Sequence, residues 1–147
     1  MQQSRVDDLE RLNQWISSAI QRGAIAILTH RNGDMDTVGS ACAMAKIIGP
    51  QARACGIHLS TIARSMLKKT GTDFLLMDPG RIEWPRNLGG VIIVDAAGPS
   101  QLGIELPSVP KCVIDHHSAG EPFVLNEDDL YVNWDTNSTA EIILHWA

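Results

Sequence analysis

Ionisable side chains collect directly after three apolar segments of the sequence. The segments are residues 24–28, 91–94 and 112–114, and each is short and apolar throughout. The group that follows them consists of His30, Asp34, Asp36, Asp95, Asp115, His116 and His117. Carboxylates gathered at one place without counter-charges repel one another and resist burial, and bound cations remove that conflict. The pattern therefore predicts a metal site.

The ligand types narrow the choice of metal. Oxygen and imidazole donors without a thiolate suit Mn²⁺, with Mg²⁺ or Co²⁺ as alternatives, better than a structural zinc ion. Asp34 and Asp36 are two residues apart, which in an extended loop places their Cα atoms roughly 6.5 Å apart with both side chains on one side. Carboxylates so placed can address two metals about 3.5 to 4 Å apart, as in two-metal phosphoester chemistry.

The same stretch offers contacts to a phosphate group. Gly39 and Ser40 are predicted to open a helix, whose free N–H groups and positive dipole end would face the anion. Asn32 lies between His30 and Asp34 in the sequence and is a further candidate contact.

Each piece also has an interpretation without catalytic function. A histidine or aspartate after a strand is commonly part of a turn, and Asp34-Met35-Asp36 is also typical of a turn that leads into a helix cap. The coincidence at three strand ends favours the metal site over these separate explanations. His58 and His145 lie outside the pattern and are predicted to be structural or exposed.

Helices and strands are predicted to alternate along the chain. Helices are expected over about residues 5–22, 38–48, 60–69 and 139–147, from apolar residues at three- and four-residue steps. Strands are expected at 24–28, 52–57, 74–77, 91–94 and 112–114. This order predicts an α/β fold with a mostly parallel sheet and helices on both faces, and the ionisable group meets at the carboxyl edge.

The amino-acid composition narrows the possible domain organisation, binding partners and cellular location. The chain has 147 residues, 44% of them hydrophobic and 20% charged, which is typical of one globular domain. A net charge of −5 argues against sequence-independent binding of duplex DNA or of an anionic membrane. Three cysteines without paired spacing predict neither a disulfide framework nor a thiolate zinc site, and favour a reducing, cytoplasmic location. The sequence shows no secretory signal and no run near the ~18 apolar residues of a membrane span.

Three ordered motifs resemble those of the DHH phosphoesterase superfamily. They are Thr29-His30-Arg31-Asn32-Gly33-Asp34-Met35-Asp36-Thr37-Val38-Gly39-Ser40, then Val91-Ile92-Ile93-Val94-Asp95, then the signature Asp115-His116-His117. The stretch Asn137-Ser138-Thr139-Ala140-Glu141 is similar to the Ser-Thr-Ala-Glu helix start of one branch. That branch holds oligoribonucleases and phosphoadenosine-phosphate phosphatases, together with RecJ-like proteins.

The resemblance implies a DHH N-terminal domain over residues 1–147, with a site for two divalent ions. His30 and Asp34 would bind one ion. Asp36 and His116 would bind the other, and Asp95 would bridge the two.

The resemblance also implies roles at the DHH signature. His117 would contact the scissile phosphate, and Asp115 would orient the adjacent histidines. A water or hydroxide shared by the metals would attack phosphorus in line.

Part of the family pattern has no counterpart in this sequence. The fourth motif, with a further metal-binding Asp, lies farther from the DHH signature than this chain extends. Asp135 precedes the Ser-Thr-Ala-Glu stretch and is not assigned to that role. The family's C-terminal substrate-binding domain has no counterpart either, so the chain is predicted to be the first part of a longer protein.

The resulting prediction is a metal-dependent phosphodiesterase or phosphatase that acts on short oligonucleotides or small nucleotides, with impaired activity in this short chain. Two alternatives stay open. One is an inorganic pyrophosphatase-like activity, and the other is a non-catalytic domain that binds a metal or a nucleotide.

Overall fold

A computed structural model of the chain describes residues 2–96, 98–116, 123, 125–134, 136 and 138–147. Its helices are α1 (Gln2–Arg22), α2 (Met35–Ile48), α3 (Thr61–Thr70) and α4 (Thr139–Trp146). Its strands are β1 (Ala24–Leu28), β2 (Ala52–Gly56), β3 (Leu75–Leu76), β4 (Leu88–Val94), β5 (Lys111–Asp115) and β6 (Leu130–Asn133). A short 3₁₀ turn covers Pro99–Gln101.

The strands form one six-stranded sheet in the order β3-β2-β1-β4-β5-β6, and every pair is parallel. The chain steps outwards from β1 to β2 and β3, returns to β4 on the other side of β1, and continues to β5 and β6. The order of the strands therefore reverses between β1 and β4. In open parallel sheets, ligands bind outside the carboxyl ends of the strands at such a point.

All four helices contribute to one core on a single face of the sheet. Leu12 of α1, Val38 of α2 and Ile142 of α4 are fully buried there against alternate strand residues such as Ile27 and Ile92. Burial of each such side chain contributes roughly 1.5 to 3 kcal/mol. Within the described residues, none of the helices has the length and apolar character needed to cross a membrane.

Different segments of the chain pack on the opposite face of the sheet. Leu28, Ile93 and Val113 point into a second core that includes Leu102 and Phe123. In the described part of the chain, this face is covered by irregular segments and the 3₁₀ turn, and all four α-helices lie on the first face. The expected parallel α/β sheet is confirmed, but the structure differs from the expectation of helices on both faces.

The handedness of the connections explains this difference. Parallel crossovers are nearly always right-handed, so connections that run outwards from β1 to β3 lie on one face, while those from β4 to β6 lie on the other. The sequence of the β4–β5 connection contains Pro99, Gly103, Pro107 and Pro110, and these residues do not sustain a long helix. The second face is therefore covered by loops.

Three differences between the predicted and the observed elements affect the packing or the site. Strand β4 begins at Leu88, ahead of the predicted 91, and includes Gly89, where a Cβ would overlap the carbonyl oxygen of Ala19 on α1. Glycine is needed there because α1 packs directly on the strand backbone. Strand β6 was not predicted, since its four residues are mixed in polarity. Helix α2 begins at Met35, which changes the expected geometry of the first motif.

Candidate metal centre

Three strand ends lie side by side at the point where the strand order reverses. Strand β4 pairs with β1 on one side and β5 on the other, with Ile93 opposite Leu28 and Val94 opposite Ile114. Asp95 directly follows β4, and β5 ends in Asp115. The sheet topology thus brings described ionisable residues from each of the three segments to the same edge of the sheet.

Three of the predicted ligands form a compact group. Asp36, Asp95 and His116 each offer one ligand atom, and these atoms all lie within 4.8 Å of one another. Nε2 of His116 is 3.2 Å from Oδ1 of Asp95 and 3.9 Å from Oδ2 of Asp36. The three come from α2, the end of β4 and the end of β5, so the group forms only in the folded sheet.

The backbone at Asp95 is held in an unusual conformation. Its φ is +62°, which makes it the single non-glycine residue with positive φ in the described part of the chain. The left-handed region costs an L-residue energy, although Asp and Asn tolerate it better than most. Asp95 is also 5% exposed and accepts a hydrogen bond from the Thr139 hydroxyl at 3.3 Å. Such strain in a buried ionisable residue is typical of functional sites.

Asp36 is held by the start of α4. Oδ2 of Asp36 accepts a hydrogen bond from the backbone N–H of Thr139 at 3.3 Å, and Oδ1 accepts one from the N–H of Ala140 at 3.2 Å. The first N–H groups of a helix have no partner inside the helix, so a carboxylate stabilises them through both hydrogen bonding and the helix dipole. The carboxylate of α2 therefore orients α4, and α4 orients the carboxylate.

Asp34 has a different local role from the one expected of an extended loop. It is the N-cap of α2, and its Oδ1 accepts a hydrogen bond from the N–H of Thr37 at 3.0 Å. Asp36 lies inside the first turn of the helix, so the expectation of two carboxylates side by side in an extended loop is wrong. The helix cap considered for Asp34 is present.

His30 and Asp34 lie outside the compact group of three ligand atoms. Nδ1 of His30 accepts a hydrogen bond from the N–H of Asn32 at 3.1 Å, and Oδ1 of Asn32 accepts one from the N–H of Asp34 at 3.4 Å. These contacts place all three residues in one tight turn between β1 and α2. The metal-binding roles of His30 and Asp34 stay predictions.

Thr37 was not singled out from the sequence, yet it connects two of the strand ends. Its hydroxyl accepts a hydrogen bond from the N–H of His30 at 2.8 Å and donates one to the carbonyl of Val94 at 3.2 Å. It therefore fixes the end of β1 to the residue just before Asp95. Only its place in the first turn of a helix that follows a strand could have indicated this role.

A second support of the turn is Gly33. Its φ is +58°, and a Cβ there would overlap the backbone of His58. Its carbonyl accepts a hydrogen bond from the N–H of Ser60, which is the N-cap of α3. The turn that carries Asp34 thus rests on the connection from β2 to α3.

The three predicted phosphate contacts have different surroundings. Asn32 is exposed. No described atom lies within 4 Å of a Cβ built on Gly39, so the helix surface is open there. Ser40 is buried, and its hydroxyl has no hydrogen-bond partner among the described residues. Gly39 and Ser40 lie in the second turn of α2, so the expectation that they open the helix is wrong because α2 begins at Met35.

The DHH signature is only partly described. Asp115 is fully buried, and its carbonyl accepts a hydrogen bond from the N–H of Trp134. His117 and Asp135 lie outside the described residues. The orienting role of Asp115 and the phosphate contact of His117 therefore stay predictions.

The compact group fits a divalent cation. Two carboxylates and one imidazole are the donors that Mn²⁺ and similar ions accept. Hydrogen bonds to the carboxylates from Thr139 and Ala140 provide the orientation that such ligands need. Neither a thiolate nor a disulfide enters the group, since Cys42, Cys55 and Cys112 are free and buried elsewhere in the fold.

Comparison with known proteins identifies the fold and the family of the chain. An exopolyphosphatase-related protein from Bacteroides fragilis has a similar structure, with a TM-score of 0.65 and 14% sequence identity. The match covers 95% of this chain and 42% of that protein's chain, so this chain spans less than half of its structural relative. No curated protein sequence matches significantly. The family model described as "DHH family, N-terminal domain" matches residues 24–147. The chain therefore belongs to the DHH family.

Proposed function

We propose that this chain carries a metal-dependent active site that hydrolyses phosphoester bonds in short oligonucleotides or small nucleotides. The observation that supports this most directly is the convergence of Asp36, Asp95 and His116 at the reversal of strand order. Membership of the DHH family, a family of metal-dependent phosphoesterases, supports the same class of reaction. When bound, two divalent ions would activate a water and offset the charge of the phosphoryl oxygens.

The residues of the chain have separate tasks in this proposal. Asp36 and His116 would hold one ion and His30 with Asp34 the other, and Asp95 would contribute its carboxylate to both. The strained backbone at Asp95 aims its carboxylate into the group, since Oδ1 faces both His116 and Thr139. The rigid attachment of Asp95 and His116 to neighbouring strands limits their movement during the reaction.

Other residues would handle the substrate. His117 contacts the scissile phosphate, and Asp115 holds the histidines in orientation. Asn32, Gly39 and Ser40 contact the remaining phosphate oxygens. The exposed Asn32 and the open surface at Gly39 support two of these assignments, as far as the described residues show, whereas the hydroxyl of Ser40 is buried.

Charge makes the metal necessary for substrate binding as well as for chemistry. The chain carries a net charge of −5, and the group contains two carboxylates within 4.8 Å of each other. A phosphate would be repelled from such a site unless cations were present. We therefore expect Mn²⁺, or Mg²⁺ or Co²⁺ in its place, to be required for nucleotide binding.

The three free cysteines support a cytoplasmic location. All are buried and none forms a disulfide within the described residues. Unpaired thiols of this kind are typical of a reducing compartment.

The test is a hydrolysis assay with Mn²⁺ on a panel of phosphate compounds. The panel holds bis-p-nitrophenyl phosphate, a labelled dinucleotide, phosphoadenosine phosphate, pyrophosphate and, because of the exopolyphosphatase-related neighbour, polyphosphate. We expect turnover of the dinucleotide or phosphoadenosine phosphate that is lost in Asp95→Asn and His116→Ala. The matched controls Asp73→Asn and His145→Ala change exposed residues outside the group and should keep the wild-type rate.

The outcomes separate the competing functions. Turnover of pyrophosphate alone would support the pyrophosphatase-like alternative, and turnover of polyphosphate alone would contradict a nucleotide substrate. Metal binding without turnover of any compound would support a non-catalytic metal- or nucleotide-binding domain instead. Equal rates in wild type and Asp95→Asn would exclude the proposed site.

A further inference from the structure

Thr139 contacts both carboxylates of the metal group. Its backbone N–H donates to Oδ2 of Asp36 at 3.3 Å, and its hydroxyl donates to Oδ1 of Asp95 at 3.3 Å. Thr139 is fully buried at the first position of α4, with Ser138 as the N-cap. One residue therefore connects two ligands that belong to α2 and to the end of β4.

The oxygen atoms that Thr139 contacts are the ones that face the histidine of the group. Oδ1 of Asp95 lies 3.2 Å from Nε2 of His116, and Oδ2 of Asp36 lies 3.9 Å from the same nitrogen. A carboxylate rotates about its last bond unless hydrogen bonds fix it. Thr139 thus restrains the two oxygens whose separation decides whether one ion can touch both.

The two contacts also have different sensitivity to mutation. The N–H to Asp36 belongs to the backbone and persists with any residue other than proline at this position. The hydroxyl to Asp95 exists only in threonine or serine among residues of similar size. A substitution at Thr139 can therefore remove the hydrogen bond to Asp95 and leave the backbone hydrogen bond to Asp36 in place.

We propose that Thr139 is a positioning residue that holds Asp36 and Asp95 at the spacing required by a divalent cation, so that the docking of α4 sets the metal affinity. This inference rests on the proposed function in one respect, namely that the group binds a metal. It adds a residue of α4 that touches neither metal nor substrate but acts through its two carboxylate partners.

A reciprocal effect follows from thermodynamic linkage. If docking of α4 favours metal binding, then metal binding favours docking of α4 to the same extent. Exchange of the N–H hydrogens of Thr139 and Ala140 should therefore slow when Mg²⁺, which does not broaden NMR signals, is added. An ion bound elsewhere would leave these two amides unchanged.

The test compares Mn²⁺ affinity, measured by calorimetric titration of the metal-free full chain, in wild type and three variants. Thr139→Val keeps the size and the N–H but loses the hydroxyl, and we expect its dissociation constant to rise about tenfold or more. Thr139→Ser keeps the hydroxyl, and we expect it to stay within about threefold of wild type. Thr70→Val is the control for loss of a threonine hydroxyl, because the Thr70 hydroxyl donates to the carbonyl of Met66 at 2.9 Å on α3, outside the metal group, and we expect wild-type affinity.

Circular dichroism of each metal-free variant shows whether the overall helix content of the chain is retained. Wild-type affinity in a folded Thr139→Val variant would overturn the positioning role, as would an equal loss in Thr139→Ser. If the wild type binds no Mn²⁺, the metal group itself is wrong and the inference falls with it. If Mn²⁺ binds and the Thr139 effect holds but no substrate is hydrolysed, the proposed function fails while the positioning role survives.

Discussion

Nε2 of His116 lies 3.2 Å from Oδ1 of Asp95, because β4 and β5 are parallel neighbours whose carboxyl ends reach the same edge of the sheet. The pair combines a strained backbone on one strand end with an imidazole on the next. Different substitutions at Asp95 can therefore test the backbone conformation and the metal-binding role of the carboxylate separately.

Asp95→Asn should lose the metal and keep the fold. Asparagine tolerates the left-handed conformation about as well as aspartate, so the turn after β4 is retained. In EDTA we expect the variant to stay within about 1 kcal/mol of the wild-type free energy of unfolding. Excess Mn²⁺ should raise the melting temperature of the wild type and leave that of Asp95→Asn unchanged, as measured by scanning calorimetry.

Asp95→Ala serves as the conformational control for this prediction. Alanine in the left-handed region costs roughly 1 to 2 kcal/mol, so this variant should be less stable than Asp95→Asn in EDTA. Equal Mn²⁺ stabilisation of wild type and Asp95→Asn would contradict the metal role of Asp95.

Alanine substitution of Gly33 tests the turn that precedes α2, and the same substitution of Gly71 is its matched control. Both have positive φ, of +58° and +64°, but only Gly33 has backbone atoms where a Cβ would stand. We expect Gly71→Ala to lower the free energy of unfolding by about 1 kcal/mol, from conformational strain alone. Gly33→Ala should cost clearly more, since the turn must also move away from His58.

The Gly33 variant should also weaken Mn²⁺ binding if Asp34 is a ligand, because Asp34 follows directly in the displaced turn. Urea unfolding gives the stability difference and calorimetric titration the affinity. Equal costs of the two alanine substitutions would mean that the turn is free to shift without effect.

The thiols should be unreactive in the folded protein. Burial raises the pKa of Cys42 to about 11 and that of Cys55 to about 12, and it raises the pKa of Cys112 further. Since the thiolate is the reactive form, we expect almost no iodoacetamide labelling at pH 7.5 and three labels per chain after denaturation, counted by mass spectrometry. Rapid labelling of the folded chain at Cys112, which has no exposed surface, would contradict the packing described for β5.

Asp129 should make the stability of the domain pH-dependent at low pH. Burial alone would raise the pKa of its carboxyl group, but hydrogen bonds from the N–H groups of Asn126 and Lys111 and from the Lys111 ammonium lower it below its usual value. The folded state therefore binds this proton less tightly than the unfolded state. The ionised Asp129 carboxylate contributes in full to the free energy of unfolding above the unfolded pKa of about 3.9. This contribution is lost as the pH falls through the lower pKa of the folded state.

Asp129→Asn tests this dependence. We expect it to lower the free energy of unfolding by about 2 kcal/mol or more near neutral pH, because the largely buried Lys111 ammonium, 3.0 Å away, loses its partner. The difference from wild type should stay constant down to about pH 5 and shrink below about pH 4. Asp128→Asn, at an exposed neighbouring position, should show no such pH dependence in denaturant unfolding curves.

The ends of β1, β4 and β5 could be predicted from sequence because each of these strands is a short apolar run followed closely by ionisable residues. Parallel strands align their carboxyl ends, so the convergence of Asp36, Asp95 and His116 required no knowledge of side-chain packing. The bounds of α3 follow from local residue types, because serine is typical of a helix start and glycine of a helix stop, and the structure has Ser60 and Gly71 at these positions.

Other features depend on long-range contacts that the local sequence does not encode. By sequence, residues 34–36 fit both an extended loop and the start of a helix, and the contact of Asp34 with Thr37 shows the helix start. The hydrogen bond from Thr139 of α4 to Asp36 joins residues 103 positions apart in the sequence. No rule of local sequence spacing predicts such a contact. The loop-covered second face follows from crossover handedness, which becomes usable only when the strand order is known.

Because α4 donates hydrogen bonds to Asp36, the site can be completed only late in the synthesis of the chain. A ribosome makes Asp36 early and Thr139 103 residues later, so most of the sheet is translated before the helix that restrains the ligands exists. Domains fold largely as their chains emerge, starting from the N-terminal side. The nascent chain would thus carry its carboxylates in a loose arrangement, and the spacing of Asp36 and Asp95 would be fixed only when α4 leaves the ribosome.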